Sequence, residues 1–149
     1  MLPIDENTED DNDLEAAALV DSGYEYNSLG QYERAIQDFD EAIRLNPQDA
    51  NAYYNRGLAY ARLDQYERAI QDFDEAIRLN PQNAGAYHNR GVAYARLGQY
   101  ERAIQDYDEA IRLNPQQAKA YSNRGIAYGS LGQYERAIQD YDEAIRLNP

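Results

Sequence analysis

The sequence predicts an all-α fold in which short antiparallel helix pairs stack one on the next. Three observations carry that prediction. One block recurs four times at a 34-residue offset: LGQYERAIQDFDEAIRLNPQ at 29–48, LDQYERAIQDFDEAIRLNPQ at 63–82, LGQYERAIQDYDEAIRLNPQ at 97–116 and LGQYERAIQDYDEAIRLNP at 131–149. Inside each block the apolar residues fall at three-and-four spacing, and each block closes on Asn-Pro. A period of this size marks stacked supersecondary units, each too small to bury its own apolar face.

The elements follow in order within a unit. The upstream half, Ala50 to Leu63, has helical spacing through Tyr53, Gly57 and Tyr60, with Ala52 and Ala59 beside them. Asp64-Gln65 then forms a tight hinge, and its counterparts begin with Gly30, Gly98 and Gly132. A glycine just past a helix suits a left-handed cap. Downstream, Tyr66, Ala69, Ile70, Phe73, Ala76 and Ile77 line one face of a second, amphipathic helix. The opposite face carries Glu67, Arg68, Asp72, Asp74, Glu75 and Arg78, with Asp74 and Arg78 four apart in the favourable order. Asn80-Pro81 ends the helix, because the residue before proline is pushed out of the α region. Four such units are expected, at 16–49, 50–83, 84–117 and 118–149.

Charge is placed unevenly. Residues 1–15 hold seven acids, Asp5, Glu6, Glu9, Asp10, Asp11, Asp13 and Glu15, and no base. Such a segment has little to bury, so an acidic tail at 1–15, disordered to about Leu14, is expected ahead of the repeats. The chain as a whole carries a formal charge of −13, which repels nucleic acid, and no basic stripe offsets it. No cysteine is present, and the longest apolar run, Ala16 to Val20, is far too short to span a membrane. The first residues lack the basic and apolar regions of a secretory signal, so a cytoplasmic chain that engages neither membrane nor nucleic acid is expected.

The repeated residues resemble the tetratricopeptide repeat (TPR) family. From Ala84 onward the unit carries an aromatic, a glycine and a tyrosine in its first helix, as Tyr87, Gly91 and Tyr94. Ala103, Tyr107, Ala110 and Pro115 then match the small, aromatic, small and proline positions. The second repeat matches through Tyr53, Gly57, Tyr60, Ala69, Phe73, Ala76 and Pro81, and the fourth through Tyr121, Gly125, Tyr128, Ala137, Tyr141, Ala144 and Pro149. The first is looser, with Leu19 at the aromatic position but Gly23, Tyr26, Ala35, Phe39, Ala42 and Pro47 in register. The resemblance covers 16–149 and implies a right-handed superhelical α-solenoid, with first helices lining a concave groove and second helices outside. It also implies work as a protein-interaction scaffold, without a cofactor.

Function is sought where the copies differ. Across units two to four the second helices are almost invariant, whereas Asn51/Gly85/Lys119, Tyr54/His88/Ser122, Leu58/Val92/Ile126, Ala61/Ala95/Gly129 and Arg62/Arg96/Ser130 vary. These positions recur three and four apart, forming one stripe of the first helix. The resemblance places that stripe in the groove; drift at solvated positions is the alternative. Between the varied residues stands a repeated asparagine, Asn55, Asn89 and Asn123, replaced by Asp21 in the first unit. An asparagine amide offers a donor and an acceptor, so three of them suit the backbone of an extended peptide. The alternative is that they bond only to neighbouring helices. The family's carboxylate clamp for chaperone C-termini is only partly matched, by Lys119, Asn89 and Asn123, since Val20 and Tyr24 stand where its opening lysine and asparagine are wanted. Arg62, Arg96 and Lys119 give the groove a positive character suited to an acidic or C-terminal segment of a partner. Arg56, Arg90 and Arg124 read instead as structural, paired with second-helix carboxylates such as Asp72 or Glu75.

An enzyme is hard to build from these residues. His88 is the sole histidine, no serine sits beside a carboxylate base, and no glycine-rich phosphate loop is present. Asp72 and Asp74 point in different directions on one helix, so no metal site is expected from them. At the last repeat, Tyr141, Ile145 and Leu147 are expected to leave a partly open apolar face. The second reading of the chain is therefore a self-assembling repeat protein that forms homo-oligomers through that face.

Overall fold

The structure, a computed structural model, describes residues 6–149, with side chains from Thr8 onward. Among the described residues it contains eight α-helices and no strand: α1 Glu6–Ser28, α2 Tyr32–Leu45, α3 Ala50–Arg62, α4 Tyr66–Leu79, α5 Ala84–Arg96, α6 Tyr100–Leu113, α7 Ala118–Ser130 and α8 Tyr134–Leu147. They form two compact units, residues 1–79 and 80–149. In the first, α1 pairs with α2 and α3 with α4, and α2 packs against α3. The second repeats this plan, with α5 on α6, α7 on α8, and α6 against α7. This is the expected all-α stacking of helix pairs.

The turns are set by backbone sterics. Gly30, Gly98 and Gly132 adopt φ of +73, +74 and +73°, the left-handed conformation that a missing Cβ makes easy. Asp64 takes the same conformation at φ +58° with a side chain attached, and its carboxylate accepts from the Tyr66 hydroxyl at 2.6 Å. At the other boundary, Asn46, Asn80 and Asn114 each fold their side-chain oxygen onto the N–H two residues on, at Gln48, Gln82 and Gln116. That Asx turn, together with the following proline, turns the chain into the next helix.

One boundary differs from expectation. Helix α1 starts at Glu6, so the described part of the acidic segment forms its opening turns; residues 1–5 lie outside the described residues. Pro47, Pro81 and Pro115 confine the starts of α3, α5 and α7, but the matching position before α1 is Asp13. Nothing there interrupts the helix, and acids near a helix N-terminus favour it through the macrodipole.

Small residues and one ring make each pair close. Ala35, Phe39 and Ala42 are fully buried or nearly so, as are Ala103, Tyr107 and Ala110. The ring lies on a glycine of the partner helix: a Cβ at Gly23 would meet Phe39 Cε1 at 2.6 Å, and one at Gly91 would meet Tyr107 Cε1 at 2.8 Å. Helix crossing at this distance is available only without a side chain.

Arginines lock the pairs in register, as expected for Arg56, Arg90 and Arg124. Arg56 donates through Nε and Nη2 to both oxygens of Asp72, at 2.9 and 2.7 Å, and through Nη1 to Asp40 of the preceding repeat at 2.7 Å. Arg124 repeats this with Asp140 and Asp108, and Arg90 holds Asp106 in the same two-pronged way. The Asp140 and then the Asp108 hydrogen bonds outweigh burial and hold the Arg124 guanidinium charged. A buried two-pronged pair fixes geometry, because breaking one side leaves an uncompensated charge. Arg78 departs from expectation: it pairs with Glu75, three residues back, in place of Asp74. Glu75 lies alongside on the same exposed edge, where such pairs contribute little.

Candidate functional site

The first helix of each repeat carries the positions that vary among the copies, and the structure sorts these into groups. In the first unit, Asn55, Leu58 and Arg62 of α3 meet Tyr24 and Ser28 of α1 and Tyr32 of α2 around a cavity of about 160 Å³. In the second, Val92 and Arg96 of α5 and Tyr100 of α6 face Asn123, Ile126 and Ser130 of α7 across a cavity of about 340 Å³. Each cavity lies between two successive first helices and is lined by part of the expected stripe: Leu58 and Arg62 in the first unit, Val92, Arg96, Ile126 and Ser130 in the second.

Lys119 lies elsewhere. It shares a third cavity, of about 390 Å³, with Ser122 of α7 and with Tyr141, Ala144 and Ile145 of α8. One expected groove residue and two of the expected oligomer contacts therefore line the same depression. On α8, Tyr141 is 38% exposed and Ile145 63%, while Leu147 is half-buried.

Tyr54 and His88 turn towards their own second helices. The Tyr54 ring lies 6.0 Å from that of Phe73, and the His88 ring 5.8 Å from that of Tyr107, both tilted. His88 is only 8% exposed. Burial, and next the nearby Lys119 charge, hold its pKa below the usual histidine range, so it stands neutral. Its Nε2 lies 3.4 Å from Asn123 Nδ2, across the α5–α7 contact.

The asparagines are half-buried. Asn55 Nδ2 donates back to the Asn51 carbonyl at 2.9 Å, and Asn27 Nδ2 donates to the main-chain carbonyl of Asn55 at 3.0 Å. Asn123 faces His88, and Asn89 sits half-buried on α5. Among the described residues the side-chain oxygen of Asn55, Oδ1, takes part in no such bond, which leaves it an acceptor for a ligand N–H.

Sequence reasoning missed the contribution of α1. Tyr24 and Ser28 of α1, with Tyr32 of α2, complete the first cavity, and a comparison of the second to fourth repeats does not include them. Extending it by one repeat gives the series Ser28, Arg62, Arg96, Ser130 at one position, a signal that was available. Among the described residues no group of three His, Asp or Glu side chains is placed to hold a metal ion, and no helix is long and apolar enough to cross a membrane.

Comparison with known proteins adds the wider context. A family model described as TPR repeat matches residues 23–64 and 93–132. Two described as Tetratricopeptide repeat match 50–83 with 118–149, and 73–105. Among solved structures, a crystal structure of MamA is 30% identical, with a TM-score of 0.86 over 89% of this chain and 77% of that one. MamA 41-end from Desulfovibrio magneticus RS-1 is 26% identical, with a TM-score of 0.84 over 89% and 75%. The first TPR of Spaghetti (RPAP3), bound to the HSP90 peptide SRMEEVD, is 28% identical, with a TM-score of 0.79 over 80% of this chain and 95% of that one. No curated protein matches the sequence.

Proposed function

This chain belongs to the tetratricopeptide repeat family, and we propose that it is a scaffold whose first helices take up an extended segment of a partner protein. Repeats of this family are generally non-catalytic interaction modules. One observation carries the reading: in each unit a cavity opens between two first helices, and its walls combine the repeated asparagine and tyrosine with positions at which the copies differ, Leu58 and Ser28/Arg62 in one and Ile126 and Arg96/Ser130 in the other. Duplication preserves the scaffold residues and varies the lining, as a recognition surface requires. The Spaghetti repeat bound to an HSP90 peptide supports the same use of the fold.

In this reading Asn55, Asn89 and Asn123 meet the peptide backbone. Leu58, Val92 and Ile126 meet its side chains, with Tyr54 and His88 behind them, and Arg62 and Arg96 favour an acidic or C-terminal segment. Peptides selected from a randomised library on the wild-type chain test this. Asn55→Ala and Asn89→Ala should each weaken a selected peptide by about 1–3 kcal/mol, with far-UV circular dichroism unchanged. Unaltered affinity removes the asparagines from the site, and a library that yields no binder removes the groove.

A second reading rests on α8, where Tyr134, Ile138 and Ile145 are 65, 58 and 63% exposed on the last repeat. An apolar face of this kind favours self-association through Tyr141, Ile145 and Leu147. Light scattering over a range of concentrations should then show reversible oligomers that Ile145→Glu disperses; a strict monomer at high concentration excludes it.

A further inference from the structure

The two first-helix cavities are the same site built twice. Every wall position of one maps onto the other by two repeats: Tyr24 on Val92, Ser28 on Arg96, Tyr32 on Tyr100, Asn55 on Asn123, Leu58 on Ile126 and Arg62 on Ser130. At these shared positions both hold a second-helix tyrosine, an asparagine and an aliphatic residue on the later first helix, one serine and one arginine. The last two exchange places. In the first unit the arginine stands on the later helix, α3, opposite Ser28; in the second it stands on the earlier helix, α5, opposite Ser130.

Those two arginines are unlike the rest. Arg44, Arg56, Arg78, Arg90, Arg112, Arg124 and Arg146 each pair with a carboxylate. Arg34, Arg68, Arg102 and Arg136 each donate to a glutamine and lie over a tyrosine ring. Among the described residues Arg62 and Arg96 do neither, and both are exposed. In a chain with nearly twice as many acids as bases, 27 against 14, carboxylates are abundant. Two guanidiniums that lack one, each on the rim of an equivalent cavity, present five unengaged N–H donors apiece to whatever enters.

We propose that each unit carries one such subsite, which takes an apolar side chain of a partner segment together with the carboxylate of an adjacent Asp or Glu. This rests on the peptide-binding reading above and narrows it: recognition is of acidic side chains within a segment, one beside each apolar anchor. Leu58 with Tyr32, and Ile126 with Tyr100, receive the apolar group; Arg62 and Arg96 bind the acid. Because the arginine stands on opposite walls, the two subsites accept the carboxylate from opposite sides of the anchor.

The probe is an acetylated, amidated peptide alternating leucine and glutamate, fluorescently labelled, with a leucine–glutamine peptide as control; blocked ends remove any terminal carboxylate. Fluorescence polarisation should show the acidic peptide binding with an affinity that falls with salt. Arg62→Gln and Arg96→Gln should each weaken it by about five- to tenfold, and the glutamine control should bind weakly and ignore both changes. Transfer of the charge within one site, as Ser28→Arg with Arg62→Ser, should restore most of the affinity lost in Arg62→Ser alone. Equal binding of the two peptides, or insensitivity to both glutamine variants, overturns the assignment. Library-selected neutral peptides that still depend on Asn55 and Asn89 would then leave the groove standing without it. Both arginines are exposed at helix ends, and glutamine keeps helix propensity, so loss of fold does not confuse the result.

Discussion

Helices α6 and α8 have the same sequence, YERAIQDYDEAIRL, and occupy different environments. On α6, Tyr107 is 1% exposed and belongs to a core with Ala103 and Ala127, with Ile104 packed against it. On α8 the matching tyrosine, Tyr141, is 38% exposed, and Ile138 and Ile145 stand largely in solvent. The polar edge differs too. Asp108 of α6 receives Nη1 of Arg124 at 2.7 Å, whereas Asp142, its equivalent on α8, has no arginine among the described residues. A repeat sequence thus specifies its helix, while burial is conferred by α7 lying over α6. The exposed apolar face and the unmatched acid at α8 thus share one cause: among the described residues no helix lies over α8 as α7 lies over α6.

The widest test removes the ring from each helix. Tyr107→Ala should destabilise the chain by about 3–5 kcal/mol, since a fully enclosed aromatic leaves a cavity its neighbours fill only partly. Tyr141→Ala, on an identical helix, should cost about 1 kcal/mol, because much of that ring already meets water. Urea unfolding followed by circular dichroism measures both. Equal losses would mean that the identical sequences, and not their neighbours, set the energetics.

What the sequence made legible follows from the same contrast. Periodicity announced the helices, Asn-Pro and Gly their ends, and the Arg56 series its Asp72 partners, because each is a relation within one repeat. Asp64 was legible as a left-handed cap only through its glycine counterparts, a comparison between copies that the φ of +58° bears out. The second prong of Arg56, on Asp40, was not legible, since it depends on how one repeat sits on the previous one. The inward turn of Tyr54 and His88 escaped for a related reason. They lie on the varied stripe, but which way a ring leans is decided by Phe73 and Tyr107 across the pair. The start of α1 escaped because acidic composition argues for disorder, while the local absence of a stop signal argues for helix.

The smallest effect concerns α7, the helix that separates the covered case from the open one. At its N-terminus the copies diverge. Asp49 accepts from the Asn51 N–H at 2.9 Å to cap α3, and Asn83 accepts from the Ala86 N–H at 3.1 Å to cap α5. Gln117 holds the same place on α7 and caps nothing, since its extra methylene carries the amide past the N–H groups. Its Oε1 is buried and meets no donor among the described residues, so the helix start loses twice, by an absent cap and by a desolvated acceptor. Gln117→Asn shortens the side chain to the length that works in α5. It should raise stability by about 0.5–1.5 kcal/mol, seen as a higher urea midpoint with an unchanged slope. The reverse change, Asn83→Gln, should lower stability by a similar amount. If the first leaves the midpoint where it was while the second lowers it, ordered water already satisfies Gln117, and the weakness of the last covering helix lies in its partners and not in its cap.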